Sequence, residues 1–372
     1  MELRHTLLEQ LPPLVRHEPL NSPHAGRSSI ERAWWGGLLG PRAAHTALDP
    51  ADTRPGRRFD VTGVACAVHV RMMGPERVSY GPEERMDIGI GLPNTVPGTE
   101  PARLLDWARQ AEGAGFSTLG TIGRLVYQGY EELIALSAAA AVTSRIRLTT
   151  SVLLAPLYAN AALLAKQAAS LERISAGRFV LGVGLGGRDD DFTASGLSTK
   201  GRGRRFEEQL QEMKSIWSGQ ERGFAGAIGP RPVRDGGPEL ILGGSTEASF
   251  RRVAELGDGW IMGGGTPEMF SQAAAGVDTA WREAGRPGTP RKLSLAYFAL
   301  GPDARAQADA YLLDYYGFLG DVAGQVAASA AVNSDMVKSY AAAFEAAGCD
   351  ELIFVPAGSG LDQIELLAEA IA

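Results

Sequence analysis

A (β/α)8 barrel is the fold this sequence predicts, with insertions after its fourth and seventh strands and a low-order N-terminal extension before it. Three observations carry the prediction. From Met86 onward, short apolar runs alternate with longer amphipathic ones. The first four apolar runs recur about every thirty residues, the length of one βα unit. Eight such units fit within residues 86–372, close to the roughly 250 residues typical of the barrel. Strands of about four to seven apolar residues, buried on both faces, suit a parallel sheet. A doubly wound open sheet is the competing arrangement of the same rhythm.

The elements follow in order. The first strand is "DIGIGLP" (87–93) and the first helix "PARLLDWARQAEGAG" (101–115), with Thr99 as its N-cap, Pro101 in its first turn and Gly115 just past its end. "FSTLGTIG" (116–123) is the second strand and "YEELIALSAAAAVT" (130–143) the second helix. "IRLTTSVLL" (146–154) and "ANAALLAKQAASLERIS" (159–175) form the third pair, and "RFVLGVGLG" (178–186) is the fourth strand. "ELILGG" (239–244), "GWIMGG" (259–264), "KLSLAYFAL" (292–300) and "DELIFVPAG" (350–358) are strands five to eight, closed by the helix "LDQIELLAEAIA" (361–372). Segments 187–237 and 301–348 exceed ordinary loop lengths, and long insertions in compact domains are usually functional. Both leave strands at their C-terminal ends, where barrel active sites lie.

Residues 1–85 read differently. They mix Pro, Arg, Gly and Ser without sustained periodicity, as low-order segments do. Arg57-Arg58 precedes a short apolar run, but it begins too far from Met1 for an export signal. A chain starting at Met86 is expected to keep the fold and the site.

Composition narrows the chemistry. A net charge of −7 and the lack of a basic stripe oppose nucleic-acid binding. No apolar run approaches the roughly 20 residues that span a bilayer, which makes a cytoplasmic protein the expectation. Cys66 and Cys349 cannot build a disulfide framework or a four-ligand zinc site. All five histidines (His5, His17, His24, His45 and His69) fall in the extension, so the barrel carries neither histidine base catalysis nor a histidine-ligated metal. No lysine is read at a strand's C-terminal end, where a Schiff base needs one, and no strand end supplies a carboxylate. The acidic run "RDDDF" (188–192) reads as a solvated turn that caps a helix, and no metal is expected. Chemistry carried by a bound cofactor is what remains.

The strand ends point the same way. "LGVGLGG", "LILGGS", "IMGGG" and "VPAGSG" repeat glycine at one rim, which suggests close backbone approach to a flat or phosphorylated ligand. In "LILGGSTEASFRRVAELGDG", Ser245-Thr246 can cap the following helix, and free amides at a helix start bind phosphate. There is no Walker lysine and no dinucleotide fingerprint, so a mononucleotide-type phosphate, as on a flavin, fits best.

The block "TTSVLLAPLYANAALLAKQAASLERISAGRFVLGVGLGGRDDDF" (149–192), with "FEEQLQEMKSIWSG" and "LILGGSTEASFRRVAELGDGWI" following in order, resembles the luciferase-like monooxygenase superfamily. The resemblance covers nearly all of 86–372 and implies a (β/α)8 barrel using reduced FMN for monooxygenation or the deazaflavin coenzyme F420 for hydride transfer. It also implies a small-molecule substrate, a homodimer paired through helices, and a separate reductase supplying the reduced cofactor. In deazaflavin members a Ser-Val pair at the end of strand three forms a non-proline cis peptide and bulge behind the ring, and Ser151-Val152 matches that pair.

By the same resemblance, Gly184 and Gly186 approach the ribityl chain, Gly243, Gly244 and Ser245 hold the phosphate, and Gly263 and Gly264 flank it. Asn94 either faces the substrate or is an exposed turn asparagine after "LP", while Thr149 and Thr150 either satisfy polar groups near the bulge or serve as ordinary strand residues. The sequence departs from the family at the end of strand two, where "LGTIGRLVYQ" lacks the acid-histidine pair of many members. Arg124 stands there instead, either as a cation favouring a reduced, anionic ring or as a surface arginine. Tyr311, Tyr315, Tyr316 and Phe318, with Phe298, either line an apolar pocket or pack the core. Two other classes answer to the same residues: a cofactor carrier without turnover, and a non-redox barrel that binds a sugar phosphate.

Overall fold

The structure is a computed structural model that describes residues 85–372; the extension, apart from Arg85, and all five histidines lie outside the described residues. Among the described residues there are nine strands: β1 Asp87–Gly91, β2 Thr118–Thr121, β3 Arg147–Thr150, β4 Leu153–Leu154, β5 Phe179–Gly184, β6 Glu239–Gly243, β7 Gly259–Met262, β8 Arg291–Phe298 and β9 Glu351–Pro356. All pair in parallel, in the order β3-β2-β1-β9-β8-β7-β6-β5-β4, and a direct β3–β5 pairing closes the cylinder. Since β4 continues the line of β3, the nine pieces make eight staves: a closed (β/α)8 barrel.

Among the described residues the helices are α1 Pro101–Gly113, α2 Glu132–Ala140, α3 Ala161–Ile174, α4 Asp189–Ala194, α5 Arg202–Trp217, α6 Glu247–Leu256, α7 Pro267–Glu283, α8 Ala304–Tyr315, α9 Val322–Ala328, α10 Ser334–Ala346 and α11 Asp362–Ile371. None is long and apolar enough to cross a membrane. The two expected insertions are present: α4, α5 and an irregular stretch follow β5, while α8, α9 and α10 follow β8. One N-cap differs from expectation. Glu100 occupies that position of α1, and the Thr99 hydroxyl instead donates to the Val96 carbonyl at 2.7 Å.

Strand alternation sorts the core into two sets. Along β6, Leu240 and Leu242 face the helices while Ile241 faces inward. Ile122, Val180, Ile241, Ile261, Leu293, Leu295, Ile353 and Val355 fill the barrel, and Trp107, Leu148, Phe206, Trp260, Phe270 and Phe344 pack between sheet and helices. The N-terminal rim is closed by ions. Glu351, buried at the start of β9, is held by Arg291 and by Arg147 at 3.4 Å, and these reach Glu239 and Asp87 in turn. The opposite rim is built quite differently.

Candidate functional site at the C-terminal rim

The third stave breaks where the hydroxyl-rich run ends. Thr149 pairs with Val180 and Leu153 with Val183, so four steps along this stave match three along β5. One residue is therefore extra, which is a β-bulge, a device that re-aims a side chain at a barrel rim. The Ser151–Val152 peptide is cis, as the family resemblance implies. Two hydroxyls settle the backbone around it: Thr150 Oγ1 donates to the Gly182 carbonyl at 2.7 Å and Ser151 Oγ to the Thr121 carbonyl at 3.0 Å. Thr149 divides from its neighbour here, since its hydroxyl is buried without a partner.

Re-aimed in this way, Val152 lies across the ends of β5 and β6. A Cβ on Gly184 would stand 2.8 Å from Val152 Cγ2, and one on Gly243 would stand 3.5 Å from Val152 Cγ1. A Cβ on Gly182 would collide with the Thr150 carbonyl. Gly186 adopts φ 68°, with Leu154 3.2 Å from where its Cβ would be. The glycines of β5 thus make room for the bulge itself. Gly184 is buried beneath Val152.

The later glycines face outward. Gly244, Ser245, Gly263 and Gly264 are exposed, and Gly243 is half-buried beside them. Gly244 has φ 142° and its Cβ would strike Ser249 at 2.5 Å, so this turn excludes a side chain. Added Cβ atoms at Gly263 and Gly264 would meet nothing within 4 Å. Thr246 and Ser249 form a reciprocal capping box at the start of α6, which fixes the helix entry while Gly244 and Ser245 remain at the surface.

Asn94 and Arg124 lie within the loops over the barrel mouth. Asn94 is fully buried, its Nδ2 donating to the carbonyls of Ile122 at 2.8 Å and Tyr130 at 3.2 Å, while its Oδ1 has no partner. It ties two loops together and is not a surface turn residue. Arg124 donates to the Tyr315 carbonyl at 2.7 Å and pairs with Asp190 at 2.8 Å, beneath the ring of Phe318 at 5.0 Å. Its charge is therefore already matched. The acidic run is not a solvated turn either: Asp191 is fully buried and accepts from Arg188 at 2.7 Å and from the Val126 amide at 2.8 Å.

Tyrosines roof the barrel. Tyr311 and Tyr315 are buried on α8, and their rings lie 5.6 Å apart. Tyr297 and Tyr316 share a hydrogen bond of 2.7 Å, and Thr95 and Tyr311 share one of 2.6 Å. Burial pushes the phenols of Tyr297, Tyr311, Tyr315 and Tyr316 upward, so they stay protonated. Phe298 is set apart from them, packing on Phe354 at 6.2 Å outside the barrel, and Phe318 is 43% exposed at the rim.

Glu132 went unread in the sequence. It stands in the first turn of α2, nine positions beyond Gly123, and its carboxyl folds back onto the Gly123 backbone at the end of β2. The residue is 5% exposed and its Oε1 has no hydrogen-bond partner. Burial, reinforced by neighbouring Glu131 and only partly offset by Arg188, raises its pKa to about 8. A glutamate in a first turn usually complements the helix dipole at the surface, and nothing in the sequence marks this one as buried.

A parallel barrel with a bulged third stave, a glycine rim and a tyrosine roof is a (β/α)8 protein whose candidate site lies at the C-terminal ends of its strands. The chain belongs to the luciferase-like monooxygenase family, whose profile matches residues 86–353. An uncharacterized protein of Mycobacterium tuberculosis is 34% identical over 172 residues, 44% of this chain and 60% of that protein, so the chain spans under two thirds of that relative's length. An FMNH2-dependent dimethylsulfone monooxygenase of Pseudomonas fluorescens is 28% identical over 258 residues, 62% of this chain and 69% of that enzyme. Among solved structures, an F420-dependent secondary alcohol dehydrogenase shares the fold with TM-score 0.63 at 18% identity, covering 77% of this chain and 99% of that one. A monooxygenase from Streptomyces bottropensis does so with TM-score 0.61 at 22% identity, covering 77% and 98%.

Proposed function

We propose that this protein is a flavin-type oxidoreductase that binds reduced FMN or coenzyme F420 and acts on a small organic molecule. One observation carries the reading: the bulge turns Val152 across the barrel mouth, beside a rim of exposed glycines with open space at Gly263 and Gly264. That arrangement fits a flat ring with a charged tail. Ser151 and Val152 back the ring, the backbone of Gly243, Gly244 and Ser245 at the start of α6 receives the phosphate, and Gly263 and Gly264 leave it room. Gly184 and Gly186 support the bulge from behind. When bound, reduced FMN supplies oxygen activation and F420 supplies hydride chemistry.

The protein's own share is exclusion of water and orientation. The tyrosine roof and the Arg124–Asp190 pair enclose the mouth, and Asn94 fixes the loop after β1. Arg124, already neutralised by Asp190, acts as a clasp between loops and not as a cation for the ring. The family's homodimer, a separate reductase and a cytoplasmic setting belong to the same proposal. The test is a visible-absorbance titration of the full chain with FMN and with F420 separately, reduced and oxidised. Saturable binding of one cofactor near one per chain is expected; a protein that binds neither refutes the reading.

A further inference from the structure

Basic residues crowd the entry to α5. The run "TKGRGRR" (199–205) carries Lys200, Arg202, Arg204 and Arg205, and no acid falls in the first turn of the helix. Cations oppose the dipole at that end of a helix, so their presence needs another reason. Few of them are matched. Arg204 reaches Glu208 at 3.7 Å with both side chains largely exposed, whereas Lys200, Arg202 and Arg205 have no carboxylate within salt-bridge distance among the described residues. Arg205 donates to the Lys200 carbonyl at 2.5 Å and to the Ser198 carbonyl, which folds the turn and leaves its charge unpaired. Arg202 lies half-buried over the ring of Phe192 at 5.8 Å, and its guanidinium donates no hydrogen bond among the described residues. The aromatic face holds that group in place while its N–H edge stays unspent.

The flanking acids do not cancel this charge. Glu207 is taken by Arg252 at 2.9 Å, Asp190 by Arg124 and Asp191 by Arg188. Asp189 on α4 and Glu247 on α6 are exposed, but neither comes within salt-bridge distance of the three unpaired cations. The patch also adjoins the glycine rim. A Cβ on Gly203 would stand 3.6 Å from Arg252 Nη2, so the start of α5 packs on the flank of α6. Arg252 lies six residues past the capping Thr246, about 9 Å along the helix at its rise per residue. The turn of Gly243, Gly244 and Ser245, read above as the phosphate seat, is at that end. An extended chain of about three residues covers the same distance.

We propose that Lys200, Arg202 and Arg205 receive the carboxylates of an anionic chain that continues beyond the cofactor's phosphate, so that the site favours coenzyme F420 over FMN. FMN ends at its phosphate. In F420 the phosphate is a diester that leads into a chain of glutamates, each adding a carboxylate. The proposal rests on the oxidoreductase reading for the placement of the phosphate and deepens it by choosing between the two cofactors. Guanidinium and ammonium groups that no protein carboxylate occupies suit such a chain, and Arg202 presents its edge for paired contacts. Because the patch is at the surface, its hold on the ligand weakens as salt rises.

The experiment titrates the full chain with F420, with the same deazaflavin phosphodiester lacking its glutamates, and with FMN, followed by absorbance and fluorescence at low and high salt. F420 is expected to bind more tightly than the other two, by a margin that shrinks as salt is added. The double variant Lys200→Gln with Arg202→Gln, both surface changes, should melt with wild type, lose about tenfold in affinity for F420, and bind the tail-less deazaflavin and FMN unchanged. Equal affinity for tailed and tail-less deazaflavin in wild type, or equal F420 affinity in wild type and variant, overturns the proposal and leaves the oxidoreductase reading in place. A γ-linked triglutamate, titrated alone and followed by saturation-transfer NMR, separates the two readings. If neither cofactor binds but triglutamate does so through Lys200 and Arg202, the patch stands as an oligocarboxylate site and the redox assignment falls; if triglutamate fails as well, both fall.

Discussion

Val152 and Gly184 occupy one space: a methyl of the first lies 2.8 Å from the position a Cβ on the second would take. The bulge in the third stave and the glycine at the end of β5 are therefore a matched pair. Gly184→Ala should push Val152 out of the barrel mouth and weaken cofactor binding by about tenfold, with a stability loss of about 1–3 kcal/mol from overpacking. Absorbance titration and thermal melting measure the two effects. An alanine variant with unchanged affinity would show that Val152 does not support the ring.

Gly263 makes the opposite case. Nothing lies within 4 Å of an added Cβ there, and its backbone is not in the left-handed region. Gly263→Ala should leave stability within about 0.5 kcal/mol of wild type, as exposed substitutions do. If the phosphate lies beside it, affinity for FMN or F420 falls while the melting curve stays in place. A binding isotherm equal to wild type moves the phosphate away from β7.

The charged collar at the other rim predicts acid sensitivity. Burial raises the Glu351 pKa, but Arg291, Arg147 and the Ser117 and Thr118 hydroxyls outweigh it and leave the carboxyl below its usual value. A carboxylate with a depressed folded pKa stabilises the fold above its unfolded pKa of about 4.3 and loses that contribution as pH falls through the lower folded value. Glu351→Gln should cost about 3 kcal/mol at pH 7, since it leaves arginines facing a neutral group. Urea unfolding from pH 7 to pH 2 should show a shallower acid decline in the variant.

Glu132 gives the reverse sign. Its folded pKa, near 8, lies above the unfolded one, so the folded state binds more protons between about pH 4.5 and pH 8 and stability falls as pH rises through that window. Glu132→Gln should match wild type near pH 4 and exceed it at pH 8, by an amount on the order of 2 kcal/mol. Chemical denaturation at both pH values checks this. A variant less stable than wild type at pH 8 would mean that the carboxylate is compensated by partners.

The staves could be read in the sequence because they are short apolar runs, several of them ended by glycine, and β6 and β7 were placed within two residues of their ends. Rhythm cannot show an inserted residue, so the break between Thr150 and Leu153 came from the family's Ser-Val pair and not from periodicity. Side-chain partners were less legible. Arg124 and Asp190 are 66 residues apart, and only the closed cylinder brings them together. Glu132 was overlooked because its strand-end role depends on how a loop folds back. That Gly184 also makes room for Val152 could not be read from the sequence. The glycine run alone does not say which side of the backbone is crowded.

Arg124 touches the loop after β2, the start of α4 through Asp190 and the end of α8 through Tyr315. Three segments from distant parts of the chain thus share one fastening, and none can swing outward without stripping the guanidinium of a partner. The same segments are also joined by Val126 to Asp191, Tyr127 to Asp314 and Tyr315 to the Gly123 carbonyl, so displacement of any one of them strains the other two.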